Sequence, residues 1–335
     1  MDTVHPVPPA AAPARVLTGD RPTGHLHLGH YFGTVANRVR LQRAGHEIFL
    51  VVADYQVIAD RDHPGDLRRT THDLVADYLA CGLDPEHTVV FSHSRLPALN
   101  QLLLPFLSLV SASELERNPT VKQEARLSGR SQLSGLMLTY PVHQAADVLF
   151  CQAGLVPVGR DQLPHLELTR AIARRFNQRY GEVFTVPEAL LDEVEILAGL
   201  DGEKMAKSRG NGISLRDDDA RIVALIRRAP TDGERLITFE PERRPQVATL
   251  VRLGAACAGV PAEAFAAQVG DAGGAGLKKL VTDAVITFLQ PIRRRRAAVT
   301  PSLVADVLAR GVRRAEREAE ECLDRVRSAM GMVYD

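Results

Sequence analysis

The sequence predicts an α/β protein: a doubly wound parallel sheet in its first part and an α-helical C-terminal domain. Two observations carry this. The first ~95 residues alternate strand, helix, strand, helix, strand, the pattern of a nucleotide-binding half. Residues 215–330, in contrast, contain almost no strand signal. At 335 residues the chain is long enough for two domains of about 150 residues each.

The elements follow in order. Residues 1–14, MDTVHPVPPAAAPA, lack the basic start and apolar stretch of a secretory signal, and their Pro/Ala content predicts a disordered tail. Residues 15–19, RVLTG, form a short strand that runs into the loop DRPTG. A helical pattern follows, with Leu28, Phe32, Val35 and Val39 on one face. The run HEIFLVVA at 46–53 is nearly all apolar, as in a strand covered on both faces. Residues 66–81 read as a helix with Leu67, Leu74, Ala76 and Leu79 inward, and TVVF at 88–91 as a third strand. Helices are expected at 99–117, 142–153 and 163–180, and a strand at 194–197. Beyond 215, helices are separated by loops near 230–245 and 270–276. The last helix, 302–330, keeps Leu308, Val312, Ala315, Ala319, Cys322 and Val326 on one stripe. Its charged face, VRRAEREAEE, reads as solvated. The expected domains are the tail 1–14, a sheet domain 15–215 with a helical insertion at about 99–150, a helical domain 216–300, and a C-terminal helix 301–335 packing back on the sheet domain.

Composition narrows the function. Lys plus Arg and Asp plus Glu number 41 each, so any nucleic-acid surface must be a local patch. No run of 18 apolar residues exists, so no transmembrane helix is expected. The four cysteines, Cys81, Cys151, Cys257 and Cys322, are far apart and form no CxxC. They are expected to be free thiols in a reducing cytoplasm, and no structural metal is expected. The chain contains no Trp.

Two segments carry the chemistry. After the first strand come Gly19, Asp20, Arg21, Pro22, Thr23 and Gly24, then His25-Leu26-His27-Leu28-Gly29-His30. Glycines let backbone approach a nucleotide, and a helix N-terminus offers N–H groups and a positive dipole end to phosphates. His27 and His30, three apart, share a face of the first turn and are placed to donate to phosphate oxygens as charge builds. Later come Asp201-Gly202-Glu203-Lys204-Met205-Ala206-Lys207-Ser208. Two lysines and a serine on a Gly-flanked loop suit closure over a triphosphate.

In this order the two segments, HLGH and KMAKS, resemble the HIGH and KMSKS signatures of class I aminoacyl-tRNA synthetases. The segments Thr139-Tyr140-Pro141-Val142-His143-Gln144-Ala145-Ala146-Asp147 and Val156-Pro157-Val158-Gly159-Arg160-Asp161-Gln162 resemble those of the tryptophanyl-tRNA synthetase family, as do Glu114-Leu115-Glu116-Arg117 and the stretch from His165. The resemblance spans about residues 15–330 and implies a Rossmann-like catalytic domain. It implies ATP with Mg2+, L-tryptophan and tRNA(Trp) as substrates and partners, a homodimer, no membrane association and a cytoplasmic location. It assigns His27, His30, Lys204, Lys207 and Ser208 to catalysis. Arg21, Pro22, Thr23, Gly24, Gly29, Gly159, Asp161, Met205 and Lys122 are assigned to ATP. Asp147, Tyr140, Gln162, Gln144, Gln56, Leu17 and Gly19 are assigned to tryptophan. Indole N–H is a donor only, so a carboxylate in an apolar pocket reads it, and Asp147 holds that position. In the helical part, Arg227, Arg228, Arg243, Arg244 and the run Arg293–Arg296 are candidate phosphate contacts for the tRNA anticodon arm, although such a run also fits a solvated or acid-paired face.

The chain departs from the family's common bacterial pattern. Arg21 stands where Gln is usual, Asp20 where an apolar residue is usual, and Leu17 where Phe is common. Gln56 replaces a common His and Gln144 a common Met near the indole pocket, and Glu124 replaces a second lysine after Lys122. These changes resemble a divergent, auxiliary branch, and Arg21 and Glu124 keep open a paralogue that binds tryptophan or RNA without catalysis. Of the other rivals, the AAD segment and VPVGRDQ weigh against a tyrosyl-tRNA synthetase, and the length and the KMAKS loop against a small nucleotidyltransferase with an HxGH turn.

Overall fold

A computed structural model describes residues 13–60, 63–122, 134–191, 197–205 and 209–334. Most of the expected tail, Glu124, Lys207 and Ser208 lie outside them. Among the described residues there are five strands: β1 (Arg15–Asp20), β2 (Glu47–Val52), β3 (Thr88–Ser92), β4 (Leu155–Val158) and β5 (Glu188–Leu191). All pair in parallel, in the order β3-β2-β1-β4-β5. The order reverses at β1, so the crevice outside the carboxyl ends of β1 and β4 is the topological switch point, where open α/β sheets bind ligands. β5 is a strand the sequence did not predict; of the strand expected at 194–197, residues 194–196 lie outside those described.

The apolar run of β2 is buried on both faces because successive side chains point opposite ways. Ile48, Leu50 and Val52 enter one core with Leu74 and Tyr78. Phe49 and Val51 enter the other with Phe91, Phe106 and Phe150. β1 lies so close to β2 that a Cβ at Gly19 would stand 2.6 Å from the Val51 carbonyl oxygen. Only glycine fits there.

The helices follow local signals. After α1 (Leu28–His30) a π turn, Tyr31–Val35, leads into α2 (Ala36–Arg43), and α3 is Val57–Asp60. In α4 (Leu67–Cys81) the Asp66 side chain accepts from the Arg69 amide, and Gly82 ends the helix at φ 104°, the left-handed cap that favours glycine. The single helix expected over 99–117 is two, α5 (Pro97–Leu107) and α6 (Ala112–Arg117). The break is a capping box in which Ser111 and Glu114 satisfy each other's backbone N–H, a stronger start signal than the run of apolar residues across it. α7 (Gly135–Leu149) begins before the expected 142 because Ser134 caps it. α8 (Leu163–Tyr180) matches its expectation.

Between the last strand and the final helix, the described residues form α9 (Asp219–Arg228), α10 (Pro245–Ala258), α11 (Ala262–Val269) and α12 (Gly273–Ala298). Arg216 and Arg296 converge on Asp73 and the buried Asp77 of α4, tying the helical part to the sheet. This redirects most of the arginine run. Arg293 pairs with Asp219, Arg295 donates to the Ala80 carbonyl, and Arg244 is buried against Asp232. These contacts fit the acid-paired reading of the run. Arg227, Arg228 and Arg294 stay exposed.

The final helix, α13 (Pro301–Ala329), runs along the edge strand β3 and shields its unpaired backbone. A Cβ at Gly311 would lie 1.8 Å from the Val90 carbonyl oxygen. Among the described residues no single helix is long and apolar enough to cross a membrane.

Gly311→Ala tests this packing. Ala gains ~1 kcal/mol of helix propensity. Overpacking against backbone that cannot turn aside costs up to ~3 kcal/mol. The expected net loss of about 2 kcal/mol is read from the urea midpoint at unchanged slope.

Candidate active site

A cavity of about 1210 Å³ opens at the switch point. Leu17, Gly19 and Arg21 line it from the end of β1, Gln56 from the loop after β2, and Gly159, Asp161 and Gln162 from the loop after β4. Tyr140, Gln144 and Asp147 line it from α7. Their spacing of four and three places them on one helical face. Lys204 closes one side.

The floor is set by a buried polar triad. The Arg38 guanidinium, 2% exposed, donates to the Asp20 carboxylate at 2.5 Å and to Thr18 Oγ1 at 3.0 Å. The Tyr78 hydroxyl donates to the same carboxylate. Burial alone would raise the Asp20 pKa, but the Arg38 charge and hydrogen bond outweigh it and hold the carboxyl at about 2.

The histidine pair is built as a helix cap. His27 Nδ1 accepts from the His30 amide at 3.3 Å, and His30 Nδ1 accepts from the His27 amide at 3.2 Å. Each Nδ1 is therefore an acceptor, which makes Nε2 the protonated, donating nitrogen on both rings. The rings do not border the cavity; they stand beside it, with Met205 packed on the turn. The Gly29 amide donates to the Met205 sulfur at 3.3 Å. A Cβ at Gly29 would meet that sulfur at 3.2 Å, and one at Gly212 would meet Met205 Cγ at 2.7 Å. The two signature segments thus interlock through one thioether between two glycines.

Two further groups order the walls. Asp147, 1% exposed, accepts from His93 Nε2. Asp54 receives the Ser94 amide at 3.0 Å and its hydroxyl, which fastens the loop carrying Gln56 to the loop carrying His93. Tyr140 Oη lies 2.9 Å from His165 Nε2, and Asn118 Nδ2 lies 3.4 Å from His165 Nδ1. Because Asn118 Oδ1 takes the Thr120 and Val121 amides, its amide nitrogen is the donor to His165, and His165 Nε2–H donates to the tyrosine oxygen. Burial pushes the His165 pKa down to about 4, partly opposed by the Asp161 charge, so this imidazole is neutral at physiological pH. Thr120 Oγ1 donates to the Asp161 carbonyl at 3.0 Å.

A model of the tRNA synthetases class I (W and Y) matches residues 10–290. The chain is 41% identical over 327 residues to the tryptophan–tRNA ligase of Treponema pallidum, covering 95% of this chain and 97% of that one. It is 39% identical to the enzyme of Thermotoga maritima, covering 96% of this chain and all of the relative. The chain belongs to the tryptophanyl-tRNA synthetases. The solved tryptophanyl-tRNA synthetase of Campylobacter jejuni, complexed with ADP and tryptophan, superposes with a TM-score of 0.83 at 27% identity, covering 95% of this chain and 99% of that chain. A tyrosyl-tRNA synthetase of Archaeoglobus fulgidus shares the fold at 23% identity and a TM-score of 0.66.

Of the positions that the tryptophanyl-tRNA synthetase resemblance assigns, the structure brings Leu17, Gly19, Arg21, Gln56, Tyr140, Gln144, Asp147, Gly159, Asp161, Gln162 and Lys204 onto one cavity. His27, His30, Gly29 and Met205 cluster beside it. Pro22 is buried and Thr23 turns back to the Arg21 carbonyl at 2.8 Å, so Gly24, at φ 124°, and its neighbours shape the loop. Lys122 is exposed on a helical turn away from the cavity wall. Sequence reasoning missed Arg38, His93, Asn118 and His165. A signal for His93 existed: it follows β3 directly, at the carboxyl end where this fold class places functional groups.

Asp20→Asn tests the triad. A folded pKa below the unfolded value of 3.8 means the pair stabilises fully above pH ~4 and loses this contribution as pH falls through about 2. The variant leaves a buried guanidinium uncompensated. It is expected to lose ~3 kcal/mol, the low end of the range because the Asp20 side chain is 21% exposed. Its stability should also vary less between pH 4 and 2, as measured by denaturant titration.

Proposed function

We propose that this chain activates L-tryptophan with ATP and transfers the tryptophanyl group to tRNA(Trp). The observation that carries the substrate assignment is a carboxylate, Asp147, buried at the wall of a cavity whose lining also holds the apolar Leu17, Val51 and Val148. A phenyl ring leaves that acceptor unpaired, which is costly.

The chemistry needs no protein nucleophile. The tryptophan carboxylate attacks the α-phosphorus of ATP, the bond to the β-phosphate oxygen breaks, and pyrophosphate leaves. Catalysis is positioning and charge stabilisation. Tyr140 and Gln162 hold the α-amino group, and Gly159 and Asp161 hold the ATP ribose. The Nε2–H groups of His27 and His30 donate to phosphate oxygens. Lys204 and Lys207, with Ser208, stabilise the departing pyrophosphate, and Arg21 adds positive charge where Glu124 has replaced a lysine. Magnesium enters on the triphosphate; among the described residues no group of three or more His, Cys, Asp or Glu is arranged to hold a metal. The terminal ribose hydroxyl of tRNA then attacks the adenylate carbonyl and AMP leaves. The helical part, 216–300, carries the anticodon contacts, with the exposed Arg227, Arg228 and Arg294 the strongest candidates. The enzyme works in the cytoplasm as a homodimer.

Tryptophan-dependent ATP–pyrophosphate exchange tests the reading. Tryptophan supports exchange and tyrosine does not, and Asp147→Ala lowers kcat/KM for tryptophan about 100-fold. Exchange driven by tyrosine, or no exchange at all, favours one of the rivals. Lys204→Ala is expected to slow exchange ~10²-fold while leaving tryptophan affinity unchanged. Because the protein has no Trp, the ligand's own fluorescence reports that affinity.

A further inference from the structure

We infer that His93 is a positioning residue for indole recognition: it holds the Asp147 carboxylate from behind, with one oxygen taken and the other turned to the substrate. This rests on the tryptophan reading of Asp147 and deepens it.

The geometry is specific. His93 follows β3 and is 1% exposed. It does not border the cavity, whereas Asp147 does. Its Nε2 meets Asp147 Oδ1. A carboxylate only accepts, so Nε2 must carry the proton. Oδ2 is then the oxygen left for the indole N–H. Without a second anchor the carboxylate is free to rotate about χ2, a broad torsion, and would present either oxygen or neither.

The other nitrogen makes a purely structural account insufficient. Among the described residues, His93 Nδ1 is buried with no hydrogen-bond partner. Buried polar atoms are nearly always satisfied, and an exception calls for a reason. An apolar side chain would fill the volume without that penalty. Keeping an imidazole makes sense if its one satisfied nitrogen has a task, and the carboxylate is its only partner. The ring is steadied from the side by His143, whose centroid lies 4.3 Å away and whose Nε2 is 3.0 Å from Asn100 Oδ1.

The charges around the pair agree. His93 faces Asp147 and His143 from α7 and Asp54 from the loop after β2. Burial opposes a charged imidazole, but the Asp147 charge and hydrogen bond outweigh it, with Asp54 adding to them, and the His93 pKa lies above the ordinary value. His143 is moved the other way, by burial first and by the charge on His93, against the pull of Asp147 and Asp54. One imidazole of this tilted pair thus supports the carboxylate, and burial disfavours charge on its neighbour.

The test measures discrimination, which loosened packing alone would not move. Tryptophan and its benzothienyl-alanine analogue, which has sulfur in place of N–H, are compared as substrates for the full-length enzyme. Removing a donor to a buried carboxylate is expected to cost ~10- to 100-fold. His93→Met, close in volume and without a donor, should therefore weaken tryptophan by that factor, mostly in KM, and change the analogue by less than about 3-fold. His93→Gln, which restores a donor, should stay within about 3-fold of native for both. Adding His93→Met to Asp147→Ala should cause no further loss of discrimination. Native-like discrimination in His93→Met beside its loss in Asp147→Ala would overturn the role of His93 and leave the tryptophan reading standing. Unchanged discrimination in Asp147→Ala would sink both. If His93→Met does not fold, the native protein decides with 15N-labelled imidazoles. A His93 Nε2–H signal that persists with tryptophan bound and is lost in Asp147→Ala supports the role, and its absence in the native complex refutes it.

Discussion

The carboxylate of Asp20 closes the last residue of β1, and the buried guanidinium of Arg38 holds it at 2.5 Å. Everything around the cavity takes its position from that contact. Arg38 also reaches Thr18 and the Gly19 carbonyl, so α2 is bolted to the strand that forms the switch point. Arg21 and the Pro22-Thr23-Gly24 turn start from this fixed end, and the histidine cap follows. Removing either partner strands the other charge in a site that water cannot repair. An apolar residue at position 20, the commoner choice, would leave Arg38 without a counter-ion, so the two positions make physical sense only together.

Much of this was legible in the sequence. The parallel order followed from the βαβ alternation, and β2 was found because both faces of a central strand must be apolar. The cavity wall was legible through the resemblance, which assigned Tyr140, Gln144 and Asp147; that they share one helix face was not, because the helix expected at 142–153 left Tyr140 outside it. What stayed hidden depends on contacts distant in sequence. Arg38 reads as one more cation in a charged helix until Asp20 is seen beside it. His93 and Asp147 are 54 residues apart, and His165 serves Tyr140 from 25 residues away; no local pattern links such pairs. The break between α5 and α6 was visible in Ser111 and Glu114, and the apolar run across it masked the signal.

The arginine run carried two readings from the sequence, a phosphate-binding patch and an acid-paired face. Four consecutive arginines look like a nucleic-acid patch when only composition is weighed. In the fold, Arg293 and Arg296 are spent on carboxylates and Arg295 on a helix-end carbonyl. Arg293 and Arg296 each have a carboxylate within 3.1 Å that neutralises them, whereas Arg294 and Arg295 stay exposed, the latter on a carbonyl that carries no charge. A chain with equal numbers of acids and bases can therefore still present a basic patch, but only where the cations have been left unmatched by the fold.

The contact between Gly311 and the Val90 carbonyl has a bearing on how the protein is made. The helix that shields β3 comes after every other element in the chain, so the nucleotide half emerges from the ribosome with that edge bare. Until about three hundred residues have been synthesised, a strand rich in β-branched side chains offers its backbone to any passing extended segment, the state in which large domains aggregate. Such long-range closure is slow as well as late. The nascent enzyme is thus vulnerable from the emergence of β3 until the last tenth of its synthesis, and the closing helix acts as a seam that the growing chain must reach before it is safe.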